Sequence, residues 1–535
     1  MQGALAPNLS GKRTEHILQH ASLAQVVDCV FFSELSVRVL PVAFLFFKEE
    51  FSIMTQFIDW LKWLEAATLK VMTVINDYMA NYVLIILLVG IGLFFSFKTR
   101  FVQVRCFGEG MRQVFGNFTL KGEKQKSGMS SFQAVATAIA AQVGTGNIVG
   151  ASGAILIGGP GAIFWMWIIA FLGMATIYAE AVLAQETRQV DADGNVAGGP
   201  IYYIKRAFSG KFGTFLAGFF AIATVISLGF IGGMVQSNSI GATFNTAFGI
   251  PTWVTGLAIA IVVGFIVIGG AQRIASTAEK VVPVMAILYI IGGLIVLAVN
   301  IADIPVAIAA IFKFAFQPQA LIGGSIGVAL KEVISQGAKR GLFSNEAGMG
   351  STPHAHAMAN VDTPHKQGVA AMIGVFLDTF VVLTMTALVV ITCTYVGDGA
   401  LAGANGASYA QIMADAGINK TNVAQSAFSS VFGSGIGNAF VAICLMFFAF
   451  TTIISWNLFG KINFNYLFGK KSTIVYSIIA VLFVFVGTIV QENELVWLAQ
   501  DTFNQFMVLP NAIAMAALSA VVVKSSKSKS DRLDK

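Results

Sequence analysis

The sequence predicts an all-α, polytopic membrane protein of eleven transmembrane helices. Three observations carry that prediction. The 535 residues are 56% hydrophobic and only 11% charged, whereas a soluble globular chain carries about 25% charged residues. Mean hydropathy is +0.76, and apolar runs recur at the roughly 20-residue length a helix needs to cross a bilayer. The basic residues fall in the loops on one side of those runs. The net charge of +6 therefore reads as positive-inside loops, and not as a nucleic-acid surface. Cys29, Cys106, Cys393 and Cys444 are scattered, with no CxxC and no metal-like spacing, so they indicate neither a disulfide framework nor a zinc site.

Residues 1–53 look unlike the rest and are read as a doubtful N-terminal extension. Lys48-Glu49-Glu50 must be encoded by purines alone, as a bacterial ribosome-binding site is, and the expected start is Met54. Residues 54–80 interleave Asp59, Lys62, Glu65, Lys70 and Asp77 with Trp60 and Trp63, the pattern of an interfacial amphipathic helix. The eleven spans follow at 82–97, 131–157, 161–183, 212–241, 252–270, 281–301, 320–338, 368–396, 434–459, 472–490 and 496–522. Loops at 98–130 and 184–211, then Arg273 and Lys280, then Lys339, Arg340 and Lys366, then Lys461, Lys470 and Lys471 mark one side. The basic tail at 523–535 falls there too. The opposite side holds few, Lys313, Lys420 and, before the first span, Lys62 and Lys70, so the amino end is expected outside and the carboxyl end in the cytoplasm. Without the first, extra span, ten remain, five in 131–301 and five in 320–522. The first set begins inside and the second outside, an inverted-topology arrangement that many secondary transporters share.

Each set opens on an interrupted helix. Residues 140–153 read "AAQVGTGNIVGASG", with Gly144 and Gly146 flanking Thr145, and Asn147 next. Irregular backbone survives at membrane depth only where it lies inside protein or lines a cavity. Glycine eases unwinding and lets a ligand approach the main chain. Unwound carbonyls can then hold a cation, and freed N–H groups at a half-helix start can hold a carboxylate. A plain packing seam through Gly146, Gly150 and Gly153 is the alternative. The second set opens on residues 320–359, where Gly323, Gly324 and Gly327 sit near one end and Gly337, Gly341, Gly348 and Gly350 near the other. Glycine-interrupted helices at matching places in two halves point to a central binding site.

Intramembrane acids are functional candidates by default. Asp378 falls in a span and is a candidate second cation site or proton site. Glu180, near the inner end of its helix, is expected to fix a gate or a helix end, and Asp501 to pair with Asn504 or cap the last helix. Lys331 and Glu332 are adjacent, do not face each other on a helix, and need separate partners. "FSNEAGMGSTPHAHA" offers Ser344, Glu346, His354 and His356 to an enzyme reading. The histidines are two apart and no HExxH is present, so an inner gate or hinge is the preferred use. An ion channel and a membrane enzyme are the rivals from other classes.

The stretches "FQAVATAIAAQVGTGNIVGASGAILIGGPGAIFWMW", "GGPIYYIKRAF", "MVQSNSI", "KRGLFSNEAGMGSTPHAHA" and "FAFTTIISWNLFG" resemble the alanine or glycine:cation symporters, from about residue 75 to about 520. The resemblance implies a LeuT-like fold of ten core helices in inverted repeats plus one extra helix. It implies no enzyme but uptake of a small neutral amino acid such as alanine or glycine, coupled to Na+, with proton coupling as the nearest variant. By the same resemblance Gly144, Thr145, Gly146 and Asn147 meet the substrate carboxylate, and Gln236 faces the same cavity. Thr451 and Thr452 are the hydroxyl pair expected to bind sodium with carbonyls near Val143 and Gly146. Thr452 and Trp456 would also line the substrate pocket, the tryptophan as a cap that favours small side chains. The expected setting is the bilayer of a bacterial cytoplasmic membrane.

Overall fold

The computed structural model describes residues 66–116, 128–190, 196–318, 326–402, 412, 415, 417–490 and 494–527. The expected extension at 1–53, the expected start at Met54, the first part of the helix expected at 54–80, Gly323, Gly324 and Cys29 lie outside the described residues. The chain divides into two compact units, 1–68 and 69–535. Of the first, residues 66–68 are described, and they are helical. Apart from those three residues, which open the first helix, all that follows concerns the second.

Helix α1, Ala66–Lys98, is one 33-residue element. The expected division between an interfacial helix ending at 80 and a span starting at 82 is therefore not seen, because a π-helical stretch at Met79–Leu84 carries the helix straight through. Amphipathic α2, Phe107–Phe115, follows. The segment read from the sequence as the first half comprises α3, Ser131–Gln142, and α4, Gly146–Gly158, then α5, Gly161–Thr187. A short α6, Pro200–Ala207, leads to α7, Gly210–Phe248, then α8, Thr252–Ile268, and α9, Gly270–Val299. A peripheral α10, Ile304–Phe316, precedes the second half. That half comprises α11, Ile326–Asn345, and α12, Pro353–Met358, then α13, Pro364–Thr394. It continues with α14, Val423–Phe432, α15, Ser434–Phe468, and α16, Thr473–Ile489. It ends with α17, Glu494–Ala517, and α18, Ser519–Lys527.

Among the described residues seven helices are long and apolar enough to span a bilayer, and nine if each bent pair is one span. The expected count of eleven is not reached on these criteria, for two physical reasons. Helix α8 is apolar but only 17 residues long. Helix α11 carries Lys331, Glu332, Lys339 and Arg340. Lys339 and Arg340, read from the sequence as loop charges, thus belong to a helix that runs seven residues past the expected end at 338 to Asn345.

The fold is not purely helical. Met129–Ser130 (β1) pairs in parallel with Ala359–Asn360 (β4), and Gln189–Val190 (β2) pairs antiparallel with Val196–Ala197 (β3). The first pairing matters for the site. It joins the residues just before α3 to those just after α12, so the two interrupted helices are tied at the same end. Ser130 also caps α3, accepting from Gln133 N at 3.1 Å while Gln133 Oε1 accepts from Ser130 N at 3.1 Å. That reciprocal pair satisfies two donors at the start of α3.

Candidate functional site

Helix α3 stops at Gln142, and Val143 turns extended, with φ −81° and ψ 90°. Helix α4 resumes through a π turn at Gly146–Gly150, bent 45° from α3. The main chain leaves the helix because side chains take its donors. Gly144 N–H donates to Asn147 Oδ1 at 3.0 Å, and Thr145 N–H donates to Gln236 Oε1 at 3.1 Å. The N–H groups expected to meet a carboxylate are thus held, in this structure, by Asn147 and Gln236. Two buried polar atoms beside them, Thr145 Oγ1 and Gln236 Nε2, have no hydrogen-bond partner among the described residues.

The glycines divide sharply. A Cβ on Gly144 would collide with Thr452 Oγ1 and stand 3.1 Å from Gln236 Oε1. On Gly146 it would stand 3.0 Å from Ser344 Cα. On Gly150 and Gly153 it would meet only ordinary contacts, at 3.8 and 3.5 Å. The packing seam therefore has a close approach at Gly146 alone, and Gly144 is small because side chains from α7 and α15 close on the break.

Thr452 Oγ1 lies 2.9 Å from Ala140 O, 3.0 Å from Phe448 O and 3.4 Å from Val143 O. One hydroxyl hydrogen cannot serve three carbonyls. The hydroxyl is thus ringed by three carbonyls, those of Ala140 and Val143 at the break and of Phe448 on its own helix, an all-oxygen set of the kind that suits a hard cation. Thr451 is used differently. Its hydroxyl donates to Phe448 O at 2.9 Å and lies 3.6 Å from Met285 Sδ. The expected threonine pair is therefore not equivalent, and only Thr452 meets the carbonyls of the break.

Asp378 lies in a π-helical stretch, Phe376–Leu383, and is fully buried. Its Oδ1 accepts from Asn147 Nδ2 at 2.6 Å and Ser344 Oγ at 3.1 Å. Its Oδ2 accepts from Ser344 Oγ at 2.9 Å and Thr379 Oγ1 at 2.8 Å. The carboxylate therefore binds α13 to both interrupted helices. Gln142 Nε2 adds a second tie, donating to Asn345 O at 2.7 Å.

The second break starts at Glu346, whose φ is +58°, and passes through Gly348 and Gly350 at φ +90° and +83°. Glu180 accepts from Gly348 N at 3.2 Å, Gly350 N at 2.9 Å and Asn511 Nδ2 at 2.6 Å. The expectation that Glu180 fixes a helix end has this geometry: it holds the broken end of α11. Glu346 accepts from Ser351 Oγ and Trp456 Nε1. Trp456 is buried and packs edge-on against Phe343, ring centres 5.9 Å apart. His354 lies between the rings of Phe220 and Phe459, with Nε2 2.8 Å from Asn463 Nδ2, while His356 Nδ1 is 2.8 Å from Gln367 Nε2. Ser344, Glu346, His354 and His356 thus go to separate partners, and no nucleophile–base pair forms among them.

At the other end, Arg340 Nη2 meets Asp501 Oδ2 at 2.7 Å, its guanidinium 5.2 Å from the Trp497 ring centre. Lys420 stands over the same ring at 5.2 Å. This corrects the expected role of Asp501. Helix α17 begins at Glu494, so Asp501 caps nothing, and Asn504 accepts instead from Ser227 Oγ at 2.5 Å and Gln500 Nε2 at 3.2 Å. Glu332 and Lys331 do take separate partners: Glu332 accepts from Gln336 Nε2 at 2.6 Å, and Lys331 lies 5.1 Å over Tyr82. Sequence reasoning missed Ala140, Phe448, Ser344, Thr379 and Arg340 at this site. Phe448 alone had a signal, lying one helical turn before Thr452.

The sodium:alanine symporter family matches residues 65–534. The sodium/alanine symporter AgcS of Methanococcus maripaludis is 39% identical over 85% of this chain and 95% of its own. The amino-acid carrier protein AlsT of Bacillus subtilis is 36% identical over 84% of this chain and 90% of its own. The structure of MhsT in complex with L-phenylalanine is 14% identical, with a TM-score of 0.51 over 75% of this chain and all of that one, a likeness that shows the fold to be LeuT-like. On the family match and these relatives, the chain belongs to the sodium:alanine symporter family, and is a multi-pass membrane transporter.

Proposed function

We propose that the protein couples inward Na+ movement to uptake of a small neutral amino acid, alanine or glycine, by alternating access. One observation carries this reading: Thr452 Oγ1 lies within 3.4 Å of the carbonyl oxygens of Ala140, Val143 and Phe448. Sodium there bridges α15 to the broken helix α3/α4, so its binding favours one arrangement of the two. A ligand shifts a conformational equilibrium only through such differential affinity. The substrate sits beside it, its polar ends met by the Gly144–Asn147 turn, Thr145 Oγ1 and Gln236 Nε2, with Trp456 limiting side-chain size. Asp378 with Asn147 and Ser344 is the second cation site. The ten core helices work as two inverted sets of five after one extra helix, in a bacterial cytoplasmic membrane with the amino end outside. Each charge carried inward is worth about 2.3 kcal/mol per 100 mV.

The test is uptake of labelled alanine into proteoliposomes. An inward Na+ gradient should raise initial uptake at least tenfold over equal Na+ on both sides. Uptake indifferent to Na+ but driven by a pH gradient would replace this reading with proton coupling. No uptake of alanine or glycine under either gradient would defeat the substrate assignment.

A further inference from the structure

The geometry points to a transition-metal site, of the Zn2+ class, formed by Cys106, Glu109 and His365 beside the buried face of α2. One ligand atom from each of the three lies within 4.8 Å of the others. Ligands about 2.1 Å from a tetrahedral centre stand roughly 3.4 Å apart, so the cluster closes on an ion by small side-chain rotations. Cys106 is at the residue preceding α2, Glu109 in its first turn, and His365 in the first turn of α13. The thiol and the imidazole are buried, and the Glu109 side chain is 22% exposed, which leaves an entry path.

The chemistry of the set is selective. Thiolate and imidazole are poor ligands for Na+, Mg2+ or Ca2+ and good ones for Zn2+. Thiolate, carboxylate and a neutral imidazole together balance a divalent charge, so the filled site adds no net charge to a buried pocket. The imidazole is already aimed. His365 Nδ1 lies 2.7 Å from Tyr178 OH, and His365 Nε2 faces Glu109 Oε2 at 3.3 Å. Metal-bound histidines use their second nitrogen on such a partner, which fixes the ring. The neighbouring cation, Arg105, donates to Thr99 O and Ser526 O at 3.3 and 3.4 Å. A bound ion replaces the proton between His365 and Glu109 and releases the thiol proton, so affinity falls as pH drops. Binding clips α2 to α13, the helix that carries Asp378.

The test uses purified full-length protein with no histidine tag, dialysed against Zn2+ and separately against Co2+. One equivalent of Zn2+ is expected, together with a thiolate-to-cobalt charge-transfer band for Co2+. Cys106→Ser should abolish the band and weaken Zn2+ binding at least tenfold. Cys393→Ser and Cys444→Ser should leave both unchanged. Tyr178→Phe should weaken binding roughly tenfold, the usual cost of losing an outer-shell partner. Alanine uptake by the Cys106→Ser protein reports that it is folded. Should that variant prove inactive, Glu109→Gln, at the partly exposed ligand, gives the same reading through Zn2+ affinity. A cobalt band that survives Cys106→Ser, or Zn2+ binding unmoved by both variants, would overturn the assignment.

Discussion

The two helix breaks use the same residue type for opposite ends. At Val143–Gly146 the glycines open the chain to side chains from other helices, and Thr145 Oγ1 and Gln236 Nε2 have no partner among the described residues. At Glu346–Gly350 the main chain is closed off by carboxylates, with Glu180 taking the N–H groups of Gly348 and Gly350 and Glu346 taking Ser351 and Trp456. A buried polar group without a partner costs about 1–3 kcal/mol, so a protein keeps one where a ligand will repay it. The first break has the form of a ligand site and the second that of a hinge whose glycine N–H groups are held by a carboxylate from another helix, although Thr352 Oγ1 just beyond it also has no partner among the described residues. Trp456 joins them, lying four residues past Thr452 and donating to Glu346.

The strongest way to break this contrast is Gly144→Ala. The added methyl meets Thr452 Oγ1 and Gln236 Oε1 at once, so uptake should fall more than 100-fold at every Na+ concentration. Retained uptake in proteoliposomes would mean that the first break is not where the ligands sit.

Next in size is Thr452→Ala, which removes the hydroxyl among three carbonyls. The Na+ concentration for half-maximal uptake should rise about tenfold, the equivalent of ~1.4 kcal/mol. Thr451→Ala should change it less than twofold, since that hydroxyl is spent on Phe448 O and Met285. Equal effects from both would restore the threonine pair expected from the sequence.

Glu180→Gln tests the hinge. It keeps one acceptor and loses the charge that strengthens the bonds to Gly348 and Gly350. Maximal uptake rate should fall several-fold with half-saturation for alanine and Na+ unchanged. A shift in half-saturation alone would move Glu180 into the ligand site.

What the sequence revealed and concealed follows the same division. Both breaks were legible because glycine clusters in apolar runs have few uses. Gln236, Asn147 and Thr452 do converge, as the resemblance implied. Arg340 was misplaced because a charge is normally a sign of a loop, and its carboxylate partner Asp501 and the Trp497 ring come from a distant segment. The carbonyls of Ala140 and Val143 act through the main chain, which residue identity does not report. The Cys106 cluster was invisible to spacing rules, since Glu109 and His365 are 256 residues apart and only the fold brings them together.

The smallest effect is expected within the first stretch itself. Gly150 and Gly153 share the motif with Gly144 and Gly146, yet a Cβ on either meets nothing nearer than 3.5 Å. Neither needs a positive φ, since Gly150 has φ −65° and ψ −48° and Gly153 lies within a helix. Alanine is favoured over glycine in a helix interior by roughly 0.5–1 kcal/mol. Gly150→Ala and Gly153→Ala should therefore leave uptake within twofold of the parent and raise the melting temperature slightly. If Gly146, Gly150 and Gly153 formed one packing seam, each added methyl would push α4 from its neighbours and lower both. The sign of the melting shift therefore decides between a seam and a site, and does so in residues that touch neither ligand.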